Sequence, residues 1–174
     1  MAQNYTIFMT CSATEKDIDS LLEITSACAL HMQSQSIFQW NALYPSKETF
    51  EEDIKRQELF VFKLDTKPIG CIVISTFMDD EYKEVNWLTP NENNVYIHRL
   101  AVHPEQQGKG IARKLMAFAE EKSRLEKRTS VRLDTFSQNL RNQKFYEQRG
   151  YQRLGAIYIP QQSEFPFYCY ELIL

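Results

Sequence analysis

The stretch that most constrains the fold lies between Val95 and about Lys127. A strand-like run, Val95-Tyr-Ile-His-Arg-Leu-Ala-Val102, passes through a short loop holding Gly108 and Gly110 into a helical pattern. In that pattern Ile111, Leu115, Phe118 and Ala119 fall on one face. The first turn of a helix leaves backbone N–H groups unpaired and carries partial positive charge. Glycine lets the backbone come close to a ligand and take unusual dihedrals. A strand feeding such a turn is therefore ready to hold an anion, a pyrophosphate above all. A P-loop would need G-x-x-x-x-G-K-[ST], and a dinucleotide fold would need G-x-G-x-x-G after an early strand. Neither pattern is present. What stands here is Gln107-Gly108-Lys109-Gly110-Ile111-Ala112, or Q-x-x-G-x-A. Taken alone, this hexapeptide also suits a turn that only connects strand to helix.

The remaining chain supplies elements around this unit. Tyr5 to Cys11 reads as a first strand. Thr14 followed by Asp17 is a capping-box-like start to a helix that places Ile18, Leu21, Leu22, Thr25, Cys28 and Ala29 on one face. A second helix fits Ser46 to Gln57, with Phe50 and Ile54 inward. Leu59–Leu64 and Ile69–Phe77 read as an antiparallel hairpin about the turn Asp65-Thr66-Lys67-Pro68. A polar segment covers 78–94. After the central unit come a strand over Val131–Phe136, a helix over Asn139–Arg149, and strands over Tyr151–Ile159 and Phe167–Ile173. The order β α α β β β α β α β β predicts one α/β domain over residues 1–174, with a mixed sheet and helices on both faces.

Composition narrows the functional classes. Twenty Lys and Arg against 23 Asp and Glu give a net charge of −3, so there is no basic excess of the kind that nucleic-acid binding shows. No apolar run approaches the ~20 residues of a membrane span, and the start, Met1-Ala2-Gln3-Asn4, has no signal-peptide pattern. Cys11, Cys28, Cys71 and Cys169 are far apart and read as buried thiols, which fits a cytoplasmic location.

A second block lies downstream: Asn139-x-x-Asn142-x-x-Phe145-Tyr146-x-x-x-Gly150-Tyr151. With this block, with Gln107, Gly110 and Ala112 matching [QR]-x-x-G-x-[GA], and with Arg99-Leu100-Ala101-Val102-His103-Pro104 before them, the chain resembles the GNAT superfamily of N-acetyltransferases. Asn142 departs from the family pattern, which usually has alanine there. The resemblance implies a mostly antiparallel, twisted central sheet splayed between its fourth and fifth strands. It also implies acetyl-CoA as co-substrate, no metal, a small-molecule or peptide amine as acceptor, and room for a homodimer. Acetyl-CoA would touch Leu100, Val102, Gln107, Gly108, Lys109, Gly110, Ile111, Ala112, Arg113, Asn139 and Tyr146. Lys109, Arg113 and Lys114 are placed to meet phosphate charge, although a solvated basic face would look the same.

Acyl transfer to an amine needs a polarised carbonyl, an acid for the leaving thiolate and a route for the amine's proton. The resemblance assigns the first to the backbone N–H of Leu100 and the second to Tyr146. An aimed N–H is worth about 3–4 kcal/mol as an oxyanion develops. The alternative for Tyr146 is an aromatic anchor for its helix. For the proton, His98 has a suitable ordinary pKa. By strand alternation it shares a face with Tyr96 and Leu100; a structural histidine is the competing reading. Glu81 and Glu84 could line the same gap. Trp40, Tyr44, Trp87 and Tyr96 are the candidate acceptor contacts, within aromatic stretches that also suit a core. Three rival readings are a non-catalytic acyl-CoA sensor, an enzyme for longer acyl-CoAs, and an ATPase; the missing [ST] after Gly-Lys disfavours the last.

Overall fold

The computed structural model describes residues 8–40 and 44–174. The expected start of the first strand at 5–7 and residues 41–43 of the aromatic linker lie outside the described residues. Among the described residues, seven strands form one sheet: β1 (Phe8–Ser12), β2 (Leu59–Leu64), β3 (Lys67–Ser75), β4 (Asn94–Val102), β5 (Ser130–Phe136), β6 (Gln152–Ile157) and β7 (Phe167–Ile173). The α-helices of the described residues are α1 (Ile18–Ser34), α2 (Lys47–Lys55), α3 (Ile111–Leu125) and α4 (Leu140–Glu147). The sequence pattern gave these elements in the same order. The sheet order is β1-β2-β3-β4-β5-β7-β6, with β4 and β5 parallel and every other neighbouring pair antiparallel.

Apolar residues bury on both faces, which fixes the layers. Ile18, Leu21, Ile24 and Cys28 of α1 and Phe50 of α2 pack on Leu59, Val61, Cys71 and Val73. On the opposite face Ile111, Leu115, Met116 and Ala119 of α3, with Tyr146 of α4, cover Phe60, Ile72, Val95, Ile97, Val131 and Leu133. A third cluster joins Tyr82, Val85, Tyr96, Phe136, Ile157 and Phe167 beside the first layer. Thr14 caps the 3-10 turn Glu15–Asp17 that leads into α1, and its backbone N–H donates to the Asp17 carboxylate at 2.9 Å. That carboxylate also meets Lys63 of β2 at 2.7 Å.

The splay between β4 and β5 is the feature that positions the site. Their pairing covers only Asn94–Ile97 against Ser130–Leu133. Just beyond it, β4 bulges. His98 faces Val73 and Ala101 faces Cys71, so Arg99 and Leu100 together oppose Ile72. Arg99 takes φ +47°, a left-handed conformation that costs a non-glycine side chain energy. A bidentate ion pair to Asp53 of α2, at 2.9 and 2.5 Å, and a hydrogen bond to the Tyr44 hydroxyl at 3.1 Å hold it there.

Candidate active site

The extra residue in β4 reverses the alternation expected along the strand. His98 stacks on Tyr82, 6.4 Å between ring centres, and the Arg99 guanidinium reaches α2, both on the α1/α2 face. Leu100 packs instead with the α3/α4 cluster. Tyr96 and His98 do share a face, both against Tyr82. The expectation that His98 and Leu100 point the same way is therefore corrected by the bulge.

Two cavities meet where β4 and β5 part. The larger, about 530 Å³, runs from the loop at 107–113 past Leu100 and Val102 to Asn139 and Tyr146. Every residue assigned to acetyl-CoA by resemblance lines it. Gly108 and Gly110 have φ of +78° and +79°, which makes glycine the natural occupant. A Cβ built on either meets no atom within 4 Å, so the loop backbone borders open space. Gly110 precedes the first turn of α3, where free N–H groups point outward. Gln107 ties the loop in place: its side-chain amide donates to the Val102 carbonyl at 3.0 Å and its oxygen accepts from Arg141 at 3.0 Å. Asn139 caps α4, accepting from the Asn142 N–H at 3.1 Å. Arg113 lines the cavity, whereas the Lys114 ammonium lies 5.3 Å over Phe8 and 5.6 Å over Phe62 and is not among the lining residues. Arg141 and Phe145 also line it; no pattern in the sequence singles out Arg141.

The smaller cavity, about 330 Å³, is bordered by Tyr44, Asp79, His98, Asp134 and Thr135. Gln39, Trp40, Leu100, Asn142 and Tyr146 line both cavities. Tyr146 is 6% exposed and its ring packs on Phe145, Tyr151 and Tyr170, so it also anchors α4. Burial raises its pKa above the ordinary phenol value, which keeps the O–H protonated.

Two of the four candidate acceptor contacts are absent from these cavities. Trp87 stacks on the Arg132 guanidinium at 4.5 Å and donates its indole N–H to the Tyr82 carbonyl at 3.0 Å. Tyr96 is 1% exposed, and its hydroxyl accepts from Arg132 at 3.3 Å. Both serve the buried Arg132–Glu171 pair, whose Nε–Oε1 distance is 3.0 Å. Glu81 and Glu84 are not lining residues either.

His98 does border the smaller cavity, but burial and then Arg99 push its pKa down to about 3. Its ring is neutral throughout the physiological range. Asp134 of β5 also borders this cavity, and burial with the charges of Asp79 and Glu81 raises its pKa to about 6. The Tyr82 hydroxyl donates to its Oδ1 at 2.5 Å and partly offsets that rise. Sequence reasoning missed Asp134 because it stands within a strand, and its partner Tyr82 comes from a segment that reads as polar loop.

The architecture has many counterparts. The profile described as the Acetyltransferase (GNAT) family matches residues 19–151. An uncharacterized N-acetyltransferase of Bacillus subtilis strain 168, YesJ, is 26% identical over 152 residues, covering 86% of this chain and 84% of its own. A GNAT-family acetyltransferase structure from Streptococcus agalactiae 2603 superposes with a TM-score of 0.79 at 22% identity, over 98% of each chain. YncA of Salmonella typhimurium, solved with its cofactor acetyl-CoA, gives a TM-score of 0.72 at 16% identity, over 97% of this chain and 94% of its own.

Proposed function

The chain belongs to the GNAT family of N-acetyltransferases, and we propose that its 174 residues act as one domain that moves an acetyl group from acetyl-CoA to a primary amine. The observation that carries this reading is the meeting of two cavities at Leu100 and Tyr146, where the sheet opens. In this reading the backbone N–H groups of residues 107–112 hold the pyrophosphate, with Arg113 and Arg141 beside it. The Leu100 N–H meets the thioester carbonyl, and the amine enters through the smaller cavity. The four free thiols suit the reducing interior of a cell.

The chemistry follows from the groups at that junction. Amine nitrogen attacks the carbonyl carbon, and the Leu100 N–H stabilises the oxyanion that forms. The attacking species is the free amine, already deprotonated in solvent; in the tetrahedral intermediate its nitrogen carries one proton too many and is strongly acidic, and Asp134 receives that proton. The Tyr146 O–H donates to the sulfur as the C–S bond breaks. One proton leaves nitrogen and one arrives on sulfur, so amine and acetyl-CoA become amide and free CoA.

Calorimetry with acetyl-CoA on Gly110→Asp tests the cofactor assignment, alongside an amine screen that detects released CoA. Aspartate tolerates left-handed backbone better than most residues, so the fold should survive. Its carboxylate would enter the open space beside the loop, and binding should fall by at least about tenfold. Unchanged binding in the folded variant would remove the loop from the site.

A further inference from the structure

Resting on that reading, we propose that the acceptor is a small cation with a second positive charge besides the amine that is acetylated, held in the 330 Å³ cavity by Glu58, Asp79 and Asp134. Five carboxylates line this cavity, from Glu52, Asp53, Glu58, Asp79 and Asp134, against two guanidinium groups, from Arg56 and Arg99. Both guanidinium groups are already committed. Arg99 makes its bidentate pair with Asp53. Arg56 pairs with Glu52 at 3.0 Å and lies 5.4 Å over the Phe77 ring. None of the other three carboxylates makes a salt bridge to a lysine or arginine among the described residues, although the charges of Arg99 and Arg56 partly offset the burial of Asp79. Glu58, 7% exposed, accepts from the Ser75 hydroxyl at 2.8 Å. Asp79 faces the neutral His98 ring at 3.9 Å. Asp134 accepts from Tyr82. Five carboxylates against two guanidinium groups leave an excess of like charge in a partly desolvated space, and a bound cation relieves it.

An independent observation also points to a polar ligand. Thr135 lines the same cavity, is 2% exposed, and its hydroxyl has no hydrogen-bond partner among the described residues. Buried hydroxyls are normally satisfied. The arrangement also argues against an amino acid as acceptor. Its carboxylate would have to compete with Asp53 for Arg99 and with Glu52 for Arg56, in a cavity that already holds three further carboxylates. A cavity of this volume is at the lower end for small-molecule sites.

The test compares three amines of one chain length: 1,4-diaminobutane, 1-aminobutane and 4-aminobutanoate. Their far ends are positive, apolar and negative. Released CoA gives kcat/KM for each at pH 8. The diamine should exceed the monoamine by at least about tenfold, with 4-aminobutanoate lowest. In the double variant Asp79→Asn, Glu58→Gln, shown to be folded by circular dichroism, the diamine-to-monoamine ratio should fall toward one. Equal rates, a preference for the monoamine or the amino acid, or an unchanged ratio in the double variant would overturn the proposal. So would the absence of turnover with all three in an enzyme that binds acetyl-CoA and acetylates another amine. Failure to bind acetyl-CoA would instead remove the underlying reading, and this proposal with it.

Discussion

Replacing Asp134 with asparagine should stabilise the protein while disabling it, and the stabilisation should depend on pH in a defined way. The groups facing this carboxylate are Tyr82, Asp79 and Glu81 from the segment after β3, His98 from β4, Tyr146 from α4 and Cys169 from β7. None of these is a cation at neutral pH. Burial, with Asp79 and Glu81, lifts the carboxyl from 3.8 to about 6. A carboxyl raised in this way binds more protons folded than unfolded between those values. Its contribution is fully present below about pH 4 and is lost as pH rises through about 6. At 1.36 kcal/mol per unit, the charged side chain costs on the order of 3 kcal/mol at pH 8. Solvent in the cavity screens part of that cost. Asparagine keeps the acceptor for Tyr82 and carries no charge. Urea unfolding across pH 3.5–8 should therefore show wild type and Asp134→Asn converging at the acid end. At pH 8 the variant should be ahead by up to about 3 kcal/mol, which is roughly 6–12 °C in Tm for a chain of this size. Turnover should fall about 10²–10⁴-fold, the range for a lost proton-transfer group. Parallel stability curves, or undiminished turnover at pH 8, would refute the assignment. Tyr82→Phe supplies an internal control: losing the donor should move the pH limb of kcat/KM upward.

Tyr146→Phe should lower kcat about 10²–10⁴-fold with little change in Tm, because the ring contacts to Phe145, Tyr151 and Tyr170 remain. A loss well short of that range, measured where chemistry is rate-limiting, would leave Tyr146 an anchor only. His98→Ala should change the height of the kcat/KM profile and not the position of its limb near pH 6, since the ring does not titrate there; a limb that disappears would return the proton-acceptor role to His98. Arg132→Met should cost about 3–5 kcal/mol in urea unfolding by leaving Glu171 buried without its cation. A variant as stable as wild type would mean that the neighbouring hydroxyl and amide groups satisfy that carboxylate unaided.

The distinction between what was and was not legible in the sequence is physical. Order and type of the elements could be read because they depend on local periodicity and caps. Asn139 ahead of α4 and Thr14 with Asp17 ahead of α1 are short-range hydrogen-bond patterns, and both caps are present in the structure. The glycines at 108 and 110 are legible for the same reason, since only the backbone conformation is at stake. The bulge at Arg99 and Leu100 is different. Arg-Leu-Ala-Val reads as ordinary strand, and arginine carries no signal for φ +47°. The conformation is imposed from 46 residues away, by the ion pair to Asp53 on another helix. Everything dependent on that reversal was therefore hidden: the opposite facing of His98 and Leu100, the neutral state of His98, and the opening that exposes Asp134. The aromatic contacts went astray by a related route. Trp87 and Tyr96 have the composition of a substrate clamp, but the buried Arg132 claims both, and nothing local to either residue announces that partner. Fold follows from short-range pattern here, while the chemistry of the site follows from long-range charges brought against one distorted strand.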